Sequence, residues 1–199
     1  MPSYGLIVEG EADKNVFDQL IRKVNSPDAY IYPLTCGGVG RFMKMFPDLL
    51  LSFKYMHNGG SVDGALVIRD CDNKSAHDVL ARMQEKLGNR VYNFPRGIEF
   101  CVVNRNLDSW LLADERAINE VSRARHGRPV TRVNETIEEI THPKERLQGI
   151  LNEAKLVYTP AVLGEIAAAI NLQDLEYRVP SFVNFKESVL RIYRPDPLL

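Results

Sequence analysis

Short apolar runs alternate with stretches of helical periodicity along the first half of the chain. Two of the runs, Tyr4–Glu9 and Gly64–Asp70, end abruptly in an acidic residue and are followed by helix-like sequence. Apolar runs of this length, bounded by glycine and acidic residues, are typical of buried strands in a parallel sheet. The other predicted strands are Tyr30–Leu34, Val91–Phe94 and Glu99–Val103. Pro33 indicates that the Tyr30–Leu34 strand ends there or lies at an edge of the sheet.

Apolar residues recur at helical spacing between these strands and through most of the second half of the chain. The predicted helices contain the apolar stripes from Val16 to Val24, Phe42 to Phe53, Ser75 to Leu87, Lys144 to Ala154, Val162 to Ile170 and Phe182 to Ile192. Strands that alternate with helices predict an α/β domain with a mainly parallel, Rossmann-like sheet flanked by helices. We expect residues 1–114 to form this core and residues 115–199 to form a mostly helical extension packed on it as one compact unit.

Composition and charge limit the classes of function that fit the chain. With 199 residues and 45% apolar content, the chain can bury a sizeable core. The net charge of −1 predicts neither nucleic-acid nor membrane binding, so contact with nucleic acid requires a local basic patch. No apolar stretch is long enough to span a bilayer, and the N-terminus lacks the pattern of a signal peptide. Three widely spaced cysteines are typical of reduced thiols, so we expect a cytoplasmic protein.

The two acid-tipped strands predict a metal site. In parallel sheets the ligand lies outside the carboxyl ends of the strands, where Glu9, Asp70 and Asp72 would converge and repel one another. Side chains two apart on an extended segment share a face, so Asp70 and Asp72 can reach one cation. Oxygen-only ligands suit Mg²⁺ or Mn²⁺. The alternative for the Asp-x-Asp pair is a cap of the strand end.

Glu9 stands at the exit of the first strand, where it can ligate a metal or act as a general base. Glu11 and Asp13 follow in the first turn of the predicted helix. Negative charge in a first turn suits the helix dipole, and we interpret these two residues as helix-start charge.

These residues together resemble a TOPRIM domain, the fold shared by topoisomerases, bacterial primases, small ribonuclease-maturation enzymes and overcoming-lysogenization-defect nucleases. The resemblance rests on the strand-terminal Glu9-Gly10 and the later Asp70-x-Asp72. Most of the chain is similar to a bacterial TOPRIM-like family related to the overcoming-lysogenization-defect nucleases. That similarity is carried by Asp108-Ser109-Trp110-Leu111-Leu112-Ala113-Asp114, Pro143-Lys144-Glu145 and Ser181-Phe182.

The resemblance implies a role for each matching acid. Glu9 would be a metal ligand or general base, and Asp70 and Asp72 would be ligands of Mg²⁺ or Mn²⁺. Asp108 would be a further catalytic acid that completes a second metal site, although the family pattern has Glu at this position. The alternative for Asp108 is a helix N-cap. Trp110 is interpreted as a core residue rather than a base-stacking platform.

Several glycine and basic residues are candidates for contact with phosphate or nucleic acid. Gly37 and Gly38 can expose backbone N–H groups at the start of a helix, with Arg41 and Lys44 nearby; the alternative is a tight turn. The basic segment of the chain contains Arg116, Arg123, Arg125, Arg128 and Arg132. From this segment we take Arg123 and Arg125 as candidates, with a solvated surface as the alternative. Lys144 could supply positive charge to a phosphoryl-transfer transition state.

Three functions fit these patterns. The first is a Mg²⁺-dependent nuclease or phosphodiesterase of TOPRIM type, acting on nucleic acid in phage defence. The second is a non-catalytic metal-binding module that acts through a partner ATPase, since the chain has no ATPase motif of its own. The third is a haloacid-dehalogenase-like phosphatase with Asp70 as nucleophile. In that family the motif sits on the first strand and has Thr or Val where this chain has Lys74, so the third function fits least well.

Overall fold

A four-stranded parallel sheet forms the centre of the molecule. The computed structural model describes residues 1–25, 29–131 and 133–193. The strands are β1 (Ser3–Val8), β2 (Tyr30–Thr35), β3 (Gly64–Asp70) and β4 (Ile98–Val103), arranged in the order β2-β1-β3-β4. In the register, Leu6 of β1 lies beside Pro33 of β2 and Leu66 of β3. The predicted α/β class with a parallel sheet flanked by helices is confirmed.

Helices connect the strands and make up the second half of the described chain. They are α1 (Glu11–Asn25), α2 (Val39–Ser52), α3 (Ala76–Leu87), α4 (Leu107–Leu111), α5 (Glu115–Ala124), α6 (Pro143–Glu153), α7 (Pro160–Ala169), α8 (Leu172–Arg178) and α9 (Phe182–Tyr193). Two short 3₁₀ turns add Phe53–Tyr55 and Ile137–Glu139. Strand β2 pairs with one side of β1 and β3 with the other side. The order in which strands are added to the sheet therefore reverses between β1 and β3, which is a topological switch point. Ligands bind at such switch points in open α/β sheets.

The sheet separates two apolar cores, because successive side chains of a strand point to opposite faces. On one face, Leu6 and Leu66 belong to the larger core. On the other face, Ile7 and Val67 pack with Phe42 and other residues of α2 and α3.

The C-terminal helices complete the larger core. Helix α7 packs along α1, and α9 packs on β3, β4 and α1. Trp110 of α4 is fully buried, as predicted, and makes edge-to-face contacts with Phe17 of α1 and with Phe182 and Phe185 of α9. Residues from both halves of the sequence therefore share one core.

The prediction of a strand at Val91–Phe94 is wrong. This segment has no regular secondary structure and pairs with no strand of the described chain, and β4 begins only at Ile98. Tyr92 and Phe94 stack on each other and pack against the core of the α2 face, while Val91 is exposed. Exposed and buried side chains alternate along this segment because Tyr92 and Phe94 pack on the core, and not because the segment forms backbone hydrogen bonds with a strand.

Strand β2 lies at an edge of the sheet, as Pro33 predicted. Tyr30 and Cys36 donate their N–H groups toward β1, to the carbonyls of Pro2 and Val8. With the two-residue period of a strand, Pro33 therefore occupies a position whose N–H would point away from β1. Proline has no N–H group, and so the open side of β2 lacks a donor at its centre.

Two further properties agree with expectations from composition. Cys36, Cys71 and Cys101 are buried and form no disulfide. Within the described ranges, no helix combines the length and apolar character needed to cross a membrane.

Candidate functional site

Five acidic residues lie at the carboxyl edge of the sheet, around the switch point between β1 and β3. We call them the acid cluster: Glu9, Asp13, Asp70, Asp72 and Asp108. Four of them were singled out from the sequence as site residues, and Asp13 was not. Burial raises the pKa of Glu9, Asp13 and Asp70, and the charges of other members of the cluster add to the rise.

Glu9 directly follows β1 and is 8% exposed. Its Oε1 accepts a hydrogen bond from Nε of Arg69 at 3.1 Å. Burial raises the pKa of Glu9 to about 7, with the Arg69 guanidinium opposing that rise and Asp13 and Asp72 adding to it. Arg69 lies over the ring of Phe42, 5.3 Å from its centroid, so this ion pair belongs to the α2 face of the sheet. A carboxyl that titrates near neutrality can gain and lose a proton at physiological pH.

Asp70 is the last residue of β3 and points to the opposite face from its neighbour Arg69. Its Oδ2 accepts a hydrogen bond of 3.3 Å from the backbone N–H of Leu107, at the start of α4. Burial raises the pKa of Asp70 well above its ordinary value, and the nearby charges of Asp13 and Glu9 raise it further. An ionised Asp70 is therefore costly unless positive charge compensates it.

Asp13 belongs to the cluster as well as to the helix start. Its Oδ2 accepts a hydrogen bond of 2.8 Å from the N–H of Gly10, the capping contact expected in the first turn of α1. Burial nevertheless raises the pKa of Asp13 to about 6, and the charge of Asp108 contributes to the rise. Glu11, by contrast, is exposed and pairs with Lys14 at 2.8 Å, which fits the predicted role as helix-start charge.

Asp72 lies outside the strand, so the two-residue alternation of an extended segment does not place its side chain on the face of Asp70. The strand ends at Asp70, and Asp72 lies in a turn with a left-handed φ of 53°. Its N–H donates to the carbonyl of Arg105 at 2.8 Å, which ties the turn after β3 to the turn after β4. The side chain of Asp72 is exposed, and its charge still raises the pKa of Glu9 and of Asp70.

Asp108 is not the N-cap of α4, because Asn106 occupies that position. The Oδ1 of Asp108 instead accepts a hydrogen bond of 2.7 Å from the hydroxyl of Tyr158, in the segment before α7. Burial raises the pKa of Asp108, while Tyr158 and Lys144 oppose the rise. Tyr158 escaped the sequence analysis, since no local pattern links it to a residue fifty positions earlier.

The donor chemistry of the acid cluster fits a divalent cation, but its geometry in this structure is not that of a closed site. Carboxylate oxygens suit Mg²⁺ and Mn²⁺, and the raised pKa values show that a nearby cation would relieve unfavourable negative charge. Among residues 1–25, 29–131 and 133–193, however, no three His, Cys, Asp or Glu side chains come close enough to hold a metal ion. Glu9 and Asp70 approach the edge from opposite faces of the sheet, which keeps their carboxylates apart.

The glycine-rich loop after β2 lies directly beside Glu9. The N–H of Gly38 donates to the carbonyl of Glu9 at 2.9 Å, and Gly37 and Gly38 have φ values of 73° and 111°. The guanidinium of Arg41 lies next to Gly37, and both Arg41 and Lys44 are exposed. The loop is therefore a tight turn that also presents basic side chains close to the acid cluster.

The arginines of the basic segment lie on and after α5, away from these contacts. Arg125 forms a bidentate ion pair with Glu165 of α7, and Arg116 pairs with Asp174 of α8. Arg123 is exposed. The positive charges that act on the acid cluster are Arg69 and Lys144 instead. Arg132 lies outside the described residues.

Comparisons of the chain with protein-family models, with curated proteins and with solved structures gave no match. The case for a function therefore rests on the geometry and electrostatics of the acid cluster.

Proposed function

We propose that this chain is a TOPRIM-like hydrolase that cleaves phosphodiester bonds of nucleic acid with the help of Mg²⁺ or Mn²⁺. The observation that carries the proposal is the group of buried and half-buried carboxylates at the switch point of a parallel sheet. Burial and mutual repulsion raise the pKa of Glu9, Asp13 and Asp70 together. Such perturbed groups concentrate at functional sites. A bound divalent cation would neutralise this charge and assist attack of water on the phosphodiester.

The residues of the chain supply the remaining requirements of the reaction. Glu9, with a pKa of about 7, is suited to accept a proton from the attacking water. Asp70 and Asp72 would hold the cation, with Asp108 oriented by its hydrogen bond from Tyr158. The ammonium of Lys144 lies near Asp13 and Asp108, where it can oppose the negative charge of a phosphate oxygen.

Single substitutions of the acids test the proposal. Glu9→Gln and Asp70→Asn keep the side-chain shape but remove the charge, and each should lower Mn²⁺-dependent cleavage by roughly 10²-fold or more. Cleavage would be measured on single- and double-stranded DNA and RNA, with the folded state checked by circular dichroism. Asp18→Asn is the matched control, since Asp18 is on α1 and pairs with Arg22 instead of contacting the acid cluster. Equal cleavage by wild type and both site variants would refute the assignment.

A second function is favoured by one specific observation, the lack of three convergent ligand side chains within the described residues. A module that binds Mg²⁺ and acts through a partner ATPase needs only one or two carboxylates and retained waters. In that case calorimetry would detect Mg²⁺ binding that Asp70→Asn abolishes, while the isolated wild-type chain would cleave no substrate. A phosphoryl group trapped on Asp70 would instead indicate the phosphatase.

A further inference from the structure

A polar cleft of about 210 Å³ lies beside the acid cluster, between the turns that follow β3 and β4 and the first turn of α6. Arg105, Asn106, His142 and Lys144 line it, together with the carboxylates of Asp72 and Glu145. Since Asp72 belongs to the acid cluster, the cleft and the proposed catalytic edge are continuous. Its volume is below the roughly 300 Å³ of typical small-molecule pockets, so it suits one small charged group rather than a whole ligand.

Arg105 is held in the cleft by its backbone. Its φ of 60° is left-handed, its N–H donates to Sγ of Cys71 at 3.2 Å, and its carbonyl accepts from Asp72. A left-handed conformation costs a residue with a side chain about 1 kcal/mol. The guanidinium nevertheless forms no ion pair with any residue in the described ranges. The position thus combines backbone strain with a guanidinium that has no ion-pair partner among the described residues.

Lys144 adds a second positive charge to the cleft. It lies in the first turn of α6, where the helix dipole opposes a cation. Its ammonium is 5.5 Å from the ring centroid of Tyr158 and has no ion-pair partner within the part of the chain that the structure describes. His142, the N-cap residue of α6, accepts no capping hydrogen bond through its side chain, so the N–H groups of the first turn stay available.

Asn106 contributes an uncommitted amide between these two charges. It is the N-cap residue of α4 but makes no capping hydrogen bond with its side chain. Its Oδ1 is buried and accepts no hydrogen bond from the described residues. A buried carbonyl oxygen requires a donor or a cation, which a phosphate does not supply, so the recognition of an anion in the cleft rests on Arg105 and Lys144.

We propose that this cleft binds a backbone phosphate of the nucleic acid, the neighbour of the phosphate that is cleaved. The inference rests on the proposed function, because the cleft opens onto the acid cluster through Asp72. Arg105 and Lys144 would neutralise the phosphate, and the free N–H groups that follow Pro143 in the first turn of α6 would donate hydrogen bonds to its oxygens. The carboxylates of Asp72 and Glu145 keep the cleft close to neutral until a cation offsets them, so binding should depend on a divalent ion.

Arg105→Asn is the most informative variant, because asparagine tolerates the left-handed conformation while the charge is lost. Binding of a fluorescein-labelled single-stranded oligonucleotide in Ca²⁺ would be followed by anisotropy over a range of NaCl concentrations. We expect about five- to tenfold weaker binding, and a salt dependence of log K that is shallower by about 0.7, the value of one lost phosphate contact. Lys144→Met should likewise weaken binding and make its salt dependence shallower. Arg105→Lys, which keeps the charge, should retain most of the affinity.

Lys86→Ala serves as the control, since it removes an exposed charge from the last turn of α3 without touching the cleft. Wild-type affinity and salt dependence in both Arg105→Asn and Lys144→Met would overturn the cleft assignment. In steady-state cleavage, Arg105→Asn should raise KM and leave kcat nearly unchanged, which a merely structural defect would not do.

The two proposals fail in different ways. If the wild-type chain binds the oligonucleotide through Arg105 but never cleaves it, the hydrolase proposal is wrong and the phosphate site stands. If the chain cleaves nucleic acid while Arg105→Asn keeps the wild-type KM, the phosphate site is wrong and the hydrolase stands. Absence of binding by the wild-type chain in Ca²⁺ would also overturn the phosphate site.

Discussion

Glu9 is the residue whose ionisation the fold shifts into the neutral range. Its side chain is buried against the sheet edge and has one cationic partner, Arg69. The ion pair does not offset the cost of burial, so the pKa of Glu9 still rises to about 7. Asp13 and Asp70 are raised in the same direction, which makes the acid cluster a source of pH dependence for folding as well as for chemistry.

The stability of the metal-free protein should therefore fall as pH rises toward neutrality. Between the ordinary pKa of Glu9, 4.5, and its folded value of about 7, the folded state retains a proton that the unfolded state releases. The unfolding free energy decreases across this window, by on the order of 3 kcal/mol from Glu9 when the whole window is crossed. Urea unfolding in EDTA, from about pH 5 to about pH 8, measures this slope.

Glu9→Gln should flatten that slope, because glutamine does not titrate. The variant also leaves Arg69 without its carboxylate partner, which shifts stability at every pH but not its pH dependence. Asp18→Asn again provides the control, and its slope should match that of the wild type. Identical slopes in wild type and Glu9→Gln would show that Glu9 does not carry the effect.

At the scale of residues, the sequence identified acids that end a strand and misjudged acids that begin a helix. Glu9 and Asp70 follow apolar runs, so their location at the carboxyl edge followed from the strand pattern alone. Asp13 had a sufficient local explanation as a first-turn acid, and indeed makes that contact with Gly10. Its proximity to Asp108 depends on where α4 packs, which no local pattern encodes.

Strand β1 is the element on which the packing of the α2 face depends most closely. A Cβ placed on Gly5 would lie 2.2 Å from the ring of Phe53, far inside van der Waals contact. Phe53 is fully buried in the 3₁₀ turn that follows α2, so the ring cannot move aside without disturbing the core. The absence of a side chain at Gly5 is what allows α2 to end against the sheet.

Gly5→Ala should consequently destabilise the protein by about 1–3 kcal/mol, the usual cost of overpacking a core. Gly149→Ala is the matched comparison. Gly149 lies inside α6 with open space around its Cβ, and the same change there should stabilise the protein by about 0.5–1 kcal/mol. Thermal and urea unfolding of the two variants measure the difference. A neutral Gly5→Ala would mean that the contact with Phe53 relaxes freely.

At the scale of elements, buried strands and amphipathic helices were predictable because their patterns are local. Val91–Phe94 shows the limit of that approach. Its β-type residues alternate as a strand would, but Pro95 removes a donor and Gly97 turns the chain toward β4. Whether an extended segment joins a sheet depends on a free neighbouring strand, and that information is not contained in the segment itself.

The whole molecule depends on its C-terminal helices more than the sequence suggested. Helices α7 and α9 cover α1 and the sheet face that contains Leu6 and Leu66. The hydroxyl of Tyr158 reaches Asp108, so the second half of the chain also orients a member of the acid cluster. The order of the strands and the side of the sheet that these helices occupy were not predictable, since both arise from contacts between distant parts of the chain.

A chain ending at residue 114 should therefore not fold by itself. Removal of residues 115–199 would expose the apolar face of α1 and part of the sheet, a loss that no remaining element can offset. Dispersed amide signals in the NMR spectrum of the truncated chain would contradict this expectation. Addition of a separate 115–199 fragment should restore ordered structure if the shared core is the cause.

Pro33 sets a limit on how this protein can associate with itself. A second molecule that added its own strand to the open side of β2 would find no N–H donor at the centre of that edge. Extension of the sheet from one molecule to the next across this edge is thus disfavoured by the ring of Pro33. Concentrated samples should be protected at this edge against growth into fibrils, and a specific pairing of molecules at the β2 edge must use side chains instead.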